Sequence, residues 1–282
     1  MFSGKDKLNT RIRFLSLTLV VILFSFTVYS HVEGEEVNEA SKDIGESLKS
    51  TSKNYVMIAA VIAGILVLIA IYNKEKDETK TFLFLGIIIP IILATVYLAG
   101  STIYLNIISE TKGPVHWHAD YEIWNCNNKI DLIKPKGLSN RIGSAIFHDH
   151  GDNRIHVEGV VTDKKDVDLH NFFETVGGSL TRNSLYIPTD NGSERTKDGD
   201  LCGANPGKLQ VFLYKIKNPD DTKNWIFEQQ KLDNFEDYVL SPHSQIPPGD
   251  CIIIEFSEEK QSTEHICETY KNAEQRGDLS GS

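Results

Sequence analysis

The sequence predicts an α+β protein, with N-terminal transmembrane helices followed by a compact, β-rich extracytoplasmic domain. Three observations carry that expectation. The long apolar stretches are confined to the first 108 residues. After Gly113-Pro114 the pattern changes to short strand-like runs separated by turn residues. All four cysteines, Cys126, Cys202, Cys251 and Cys267, fall in that second part.

The first apolar stretch, FLSLTLVVILFSFTVYS (14–30), follows a segment bearing Lys5, Lys7, Arg11 and Arg13. That layout belongs to a signal peptide or a signal-anchor helix, so residues 1–30 are read as one or the other. Residues 31–54 contain almost no large apolar side chains and read as an extracytoplasmic linker or a weak helix. The second stretch, YVMIAAVIAGILVLIAIY (55–72), runs 18 residues without a charge. At ~1.5 Å per residue it covers ~27 Å, close to the thickness of a bilayer core. The third, residues 81–108, is longer and carries Pro90 and Gly100, so it spans with a tilt or a kink. Neither has a polar face, which argues against a buried soluble helix, and together they form a helical hairpin over 55–108.

Orientation follows from the basic residues. The N-terminal cluster and Lys74, Lys76 and Lys80 in the loop NKEKDETK (73–80) belong in the cytoplasm by the positive-inside rule. Residues 31–54 and 109–282 then lie on the extracytoplasmic side, whether or not the first stretch is cleaved. The cysteines agree, since an even count in an exported domain predicts two disulfides, in one of three pairings.

Charge divides the chain in the same place. Residues 1–112 hold 11 basic and 11 acidic side chains, whereas residues 113–282 hold 18 Lys and Arg against 28 Asp and Glu. The whole net charge of −10 therefore sits in the domain. An acidic domain without a basic stripe repels phosphate backbones, which excludes nucleic acid as a partner.

Within residues 113–282, HWHADYEIW (116–124) alternates as a strand does, and Asn127-Asn128 turns the chain into KIDLI (129–133). RIHVEGVV (154–161), SLYIP (184–188), LQVFLYKI (209–216) and WIFEQQKL (225–232) are further strands. The β-branched run DCIIIEF (250–256), directly after Pro247-Pro248-Gly249, is the clearest of them. DVDLHNFFETVGG (166–178) predicts a helix capped by Asp166 or Asp168 and stopped at Gly177, and a final helix is expected over 262–273.

Five of the nine histidines fall between residues 116 and 156. In a strand, positions i and i+2 share a face. His116 and His118 therefore project together, as do His148 and His150, and His156 with Glu158. Three such pairs converging would supply five imidazoles and a carboxylate, and three or four ligands of this kind suffice for zinc, copper or non-haem iron. Glu122 is a further candidate, and Asp149 and Asp152 are candidate acceptors that orient an imidazole through its other nitrogen. Both methionines, Met1 and Met57, lie outside the domain, and the cysteines are assigned to disulfides. A soft thioether or thiolate site is thus disfavoured, and zinc or copper is expected before iron.

HWHADYE (116–122) matches the HxHx3E core of the cupin metal motif, although the partner motif with its histidine after Pro-x-Gly is absent. A longer resemblance runs through HWH (116–118), HDH (148–150), IHVE (155–158), NFF (171–173) and PPGD (247–250). In that order these elements resemble an uncharacterised prokaryotic family of membrane-tethered, His-rich extracytoplasmic domains. The resemblance implies a common site made from these histidines and supplies no activity.

His170, His243 and His265 are read as cap, loop and structural residues. No GxSxG is present and no glycine cluster sits at a strand-to-helix junction, so neither serine catalysis nor a phosphate cradle is expected. The expected partners are a lipid bilayer and a metal ion. Three functions remain open: metal capture, delivery or sensing; a metal-dependent hydrolase or oxygenase, with Glu158 or Glu122 as acid or base; and an envelope structural module whose histidines only stabilise turns.

Overall fold

The computed structural model describes residues 41–72 and 77–281 of the chain. The signal-like stretch 14–30, residues 31–40 of the expected linker, and Lys74 and Lys76 lie outside the described residues. The chain divides into two compact units, Met1–Leu105 and Asn106–Ser282.

The first unit holds helices α1 (Ser41–Tyr72) and α2 (Asp77–Ile108), the latter running on into the second. Within them Ser47–Tyr72 and Lys80–Ile108 are long and apolar enough to cross a membrane, each containing 18 consecutive residues with a mean hydropathy of 2.7 and 2.6 respectively. Of those 18 residues in each helix only 11% are buried, and Ile58, Ile65, Phe82 and Leu93 are exposed, which a core helix of a soluble protein would not allow. The two helices meet where Gly86 lies against Leu66. A Cβ at Gly86 would sit 2.8 Å from a Leu66 methyl, so a small residue sets how closely they approach. The rings of Tyr55 and Tyr97 meet 4.7 Å apart in the same hairpin. Residues 41–54, expected as a linker or weak helix, form the first turns of α1. Extending an existing helix adds one hydrogen bond per residue fixed, without the cost of a new nucleus.

The second unit is organised by a mixed sheet. Its strands are β1 (Pro114–Asn125), β2 (Asn128–Ile130), β3 (Ile142–Gly143), β4 (Phe147–Asp149) and β5 (Arg154–Val160). Helix α3 (Leu169–Thr175) and the meander β6 (Ser179–Thr181), β7 (Ser184–Thr189) and β8 (Gly192–Lys197) follow. Then come a two-stranded ribbon, β9 (Leu201–Cys202) with β10 (Asn205–Pro206), and strands β11 (Lys208–Ile216), β12 (Trp225–Leu232) and β13 (Cys251–Ser257). Helix α4 (Glu268–Arg276) and β14 (Leu279–Gly281) close the chain. The order across the main sheet is β14-β12-β11-β13-β1-β5-β4-β3, with β2 paired to the far end of β1.

Strand alternation gives this sheet two unlike faces. From β1, Trp117, Ala119, Tyr121 and Ile123 enter the larger core, where α3 contributes the fully buried Phe172 and Phe173. Residues 116, 118, 120, 122 and 124 point the other way. On that side Tyr270 and Ala273 of α4 cover Phe212, Cys251 and Ile253 of β11 and β13. The histidines occupy the remainder of this face, on β1, β5 and β4.

Two disulfides form, as expected. Cys126–Cys202 ties the turn after β1 to β9, and Cys251–Cys267 ties β13 to the start of α4. Asp168 caps α3, accepting the Asn171 N–H at 2.8 Å. Several boundaries differ from expectation, among them the helix expected over 166–178, which is confined to Leu169–Thr175 behind a 3-10 turn at Lys164–Val167. The strand over 129–133 stops at Ile130. The final helix starts at Glu268 instead of residue 262, because tertiary hydrogen bonds claim the preceding residues. The Thr263 N–H donates to Gln229, its hydroxyl donates to Glu255, and the carbonyl of His265 accepts from Tyr214.

Candidate metal centre

Register brings the histidines together. His118 of β1 pairs with His156 of β5, and His156 pairs in turn with His148 of β4. Adjacent strands lie ~4.8 Å apart, so side chains at paired positions on one face form a row. The ring centroids follow that spacing, at 4.5 Å for His118–His156 and 5.2 Å for His148–His156. His116 sits 4.5 Å from His118 and pairs with Glu158 across the ladder, its Nε2 lying 3.1 Å from Glu158 Oε1. His150, just past the end of β4, lies 4.8 Å from both His148 and His156.

Two sets of atoms that could hold a metal ion result. His116, His118, His156 and Glu158 form one, and His148, His150 and His156 form the other, the donors of each lying within 4.8 Å of one another. Metal–nitrogen bonds of ~2.0–2.1 Å place two ligand nitrogens at most ~4.2 Å apart. Side-chain shifts of under ~1 Å thus bring each set onto an ion.

Backbone carbonyls orient two of the rings. His118 Nδ1 donates to the Ser244 carbonyl at 2.7 Å, and His150 Nδ1 donates to the Asn140 carbonyl. A carbonyl only accepts, so Nδ1 carries the proton and Nε2 is left with its lone pair. Both carbonyls come from loops. Ser244 belongs to the Pro-rich loop before β13, which runs beside β1 and also accepts the His118 backbone N–H on the carbonyl of His243 at 2.8 Å. Gly249 lets this loop approach, because a Cβ there would lie 2.5 Å from the His118 carbonyl oxygen.

Asp149 shapes the turn that brings His148 and His150 back toward His156. It faces the core and is fully buried, where it accepts the Tyr121 hydroxyl at 3.0 Å and the backbone N–H groups of Gly151 and Arg154. It therefore holds backbone, and the expectation that it orients an imidazole is replaced. Asp152 does face the cluster, 3.8 Å from His156 Nε2.

Burial dominates the electrostatics. It pushes His156 down to about 3, with the neighbouring His118, His150 and His148 adding to the fall and Glu158 opposing it. His118 and His148 are lowered for the same first reason. Three neutral imidazoles thus face one another at neutral pH. Four of their nitrogens, His118 Nε2, His148 Nδ1 and both nitrogens of His156, are buried without a hydrogen-bond partner. Folded proteins rarely leave buried polar atoms in that condition, each of which costs ~1–3 kcal/mol. Lone pairs converging from neutral rings are what a cation accepts, so the donor set fits a metal. It consists of imidazoles and one carboxylate, with no sulfur, a composition that suits Zn(II) or Cu(II).

The other residues singled out in the sequence go elsewhere. Glu122 shares the histidine face but belongs to neither set. It accepts from Lys129 at 2.8 Å and from the Trp124 indole at 3.0 Å. Trp117 is in the core, and Trp124 stacks on His265 at 3.6 Å, away from the cluster. His170 donates to the Leu180 carbonyl and pairs with Glu174. Ser244, Asn140 and Tyr121 were not foreseen, because two act through backbone carbonyls and the third from the opposite face of β1.

Among the described residues, fold and site together define two apolar helices followed by a disulfide-bonded, sheet-rich domain whose histidine groups could hold a metal. Comparison of the chain with protein-family models, curated proteins and solved structures finds no match.

Proposed function

We propose that this chain is a membrane-anchored, extracytoplasmic domain that binds a transition metal, zinc or copper before iron, for capture, delivery or sensing. The observation that carries the reading is the set of four buried, unpartnered imidazole nitrogens on three neighbouring strands. A module whose histidines only stabilised turns would have its ring nitrogens satisfied, as His170 does. The two apolar helices, the basic residues around them and the two disulfides support the anchor and the exported location. A common histidine site in the prokaryotic His-rich family that the sequence resembles is part of the same proposal.

Metal-dependent catalysis on the same ligands is the second reading. The set His148, His150 and His156 favours it, since three protein ligands leave a coordination position for water or substrate.

The test uses the full chain in detergent, equilibrated with Zn(II) or Cu(II), freed of excess metal and assayed for bound ion. Retained stoichiometric metal is the expected result. His156→Leu is expected to lose that metal and to raise the stability of the metal-free protein by ~1–2 kcal/mol, because two unsatisfied buried nitrogens are removed. An unsubstituted chain that retains neither ion overturns the proposal. A destabilising His156→Leu with no metal in the parent would favour a structural role.

A further inference from the structure

The metal-binding reading leaves open how many ions the cluster takes, and His156 decides it. His156 belongs to both donor sets, and among the described residues it is the one histidine with both ring nitrogens buried and unpartnered. It lies on β5, the middle strand of three, with His118 on the neighbour to one side and His148 on the neighbour to the other. The two nitrogens of an imidazole point away from each other in the ring plane and cannot serve one ion. Five imidazoles and a carboxylate also exceed the four ligands that zinc takes.

We propose that the cluster holds two metal ions and that His156 bridges them, one at each ring nitrogen. The inference rests on the metal-binding reading above and deepens it. One ion is held by His116, His118, Glu158 and His156, a closed set of four ligands. The other is held by His148, His150 and His156, with a position left for solvent or substrate. An imidazole bound at both nitrogens gives up its N–H proton to solvent as the second cation binds. The closed position retains its ion, as structural zinc sites do, and the three-ligand position exchanges or reacts. The acidic domain around the cluster, which carries the chain's net charge of −10, favours a second cation beside the first.

The full chain in detergent is titrated with Zn(II), and bound metal is counted per chain. Two ions are expected. His116→Gln and His150→Gln change the more exposed ligand of each set, so the fold is expected to survive, with circular dichroism as the control. Each folded variant is expected to keep one ion at undiminished occupancy. Cu(II) gives a second readout, because two copper ions joined through one imidazole ring couple magnetically. The EPR intensity per copper should therefore fall as the second equivalent binds. A single ion in the unsubstituted chain overturns the bridged pair and leaves the metal-binding reading standing. Loss of both ions from either folded variant, or two full-intensity copper signals, also overturns it. No bound ion at all overturns both.

Discussion

At His156, burial and charge act in the same direction. The ring is removed from water and ringed by other histidines, so the folded chain resists protonating it until about pH 3. The unfolded chain binds that proton near the ordinary histidine value of about 6.5. Between those values the unfolded state holds more protons, so the contribution to stability is complete above about pH 6.5 and is lost as pH falls toward 3. His118 and His148 shift the same way. Metal-free protein is therefore expected to lose stability as pH falls, by roughly 1.4 kcal/mol per pH unit from His156 over that window, with His118 and His148 acting in the same direction. Urea unfolding at pH 7.5 and pH 5 measures it, followed by the fluorescence of Trp117, Trp124 and Trp225, all of which lie in the domain. An equal midpoint at the two pH values would show that these rings protonate as freely folded as unfolded.

At the scale of the element, β1 explains why part of the site was legible in the sequence. HWHADYEIW alternates, and alternation alone places His116 and His118 on one face and Trp117, Ala119 and Tyr121 on the other. The same parity applies to HDH and HVE, so the sequence already groups the five histidines that the fold brings together. Parity also admits Glu122, which lies in neither donor set, since it says which side a residue faces and not how far along the strand the partners lie. Loop carbonyls were out of reach, because Ser244 and Asn140 act through backbone whose path no side-chain pattern encodes. PPGD was visible as a motif, and its physical use is the close passage of Gly249 past β1. A side chain at Gly249 would meet backbone oxygens of His118 and Gln245 that no rotamer change can move aside. Gly249→Ala is expected to cost ~1–3 kcal/mol and to shift the Ser244 carbonyl that orients His118. Zinc affinity should fall ~10–100-fold, the usual effect of losing such an orienting group. An unchanged dissociation constant in the folded variant would show that the loop does not position the ring.

For the whole molecule, the sequence conveyed the division into apolar helices and an acidic, cysteine-bearing domain, while the disulfide pairing needed the fold. Cys126–Cys202 spans 76 residues and Cys251–Cys267 spans 16. By loop-closure entropy the shorter loop restricts the unfolded chain by ~3 kcal/mol and the longer by ~4–5 kcal/mol. Set against the ~5–15 kcal/mol typical of a folded domain, these links are a large share of the total. Cys251→Ser with Cys267→Ser is expected to lower stability by ~3 kcal/mol, and full reduction by more, as read from urea midpoints with and without reductant. Equal midpoints would mean that the links do not stabilise this fold.

The two-residue strand β3 gives the centre a direction in time. It is the outermost strand of the sheet, joined to β4 only through Ile142–Asp149 and Gly143–His148. The Asn140 carbonyl that holds His150 precedes it in the same segment. Regions held by few ladder bonds open at a smaller free energy than the fold as a whole. Fraying there would release His150 from the Asn140 carbonyl, while His148 stays paired with His156 and His116, His118 and Glu158 stay on the long β1–β5 ladder. If the cluster holds two ions as proposed, an ion at the outer position would then leave at the rate of a local opening, and an ion at the inner position only when the sheet itself comes apart.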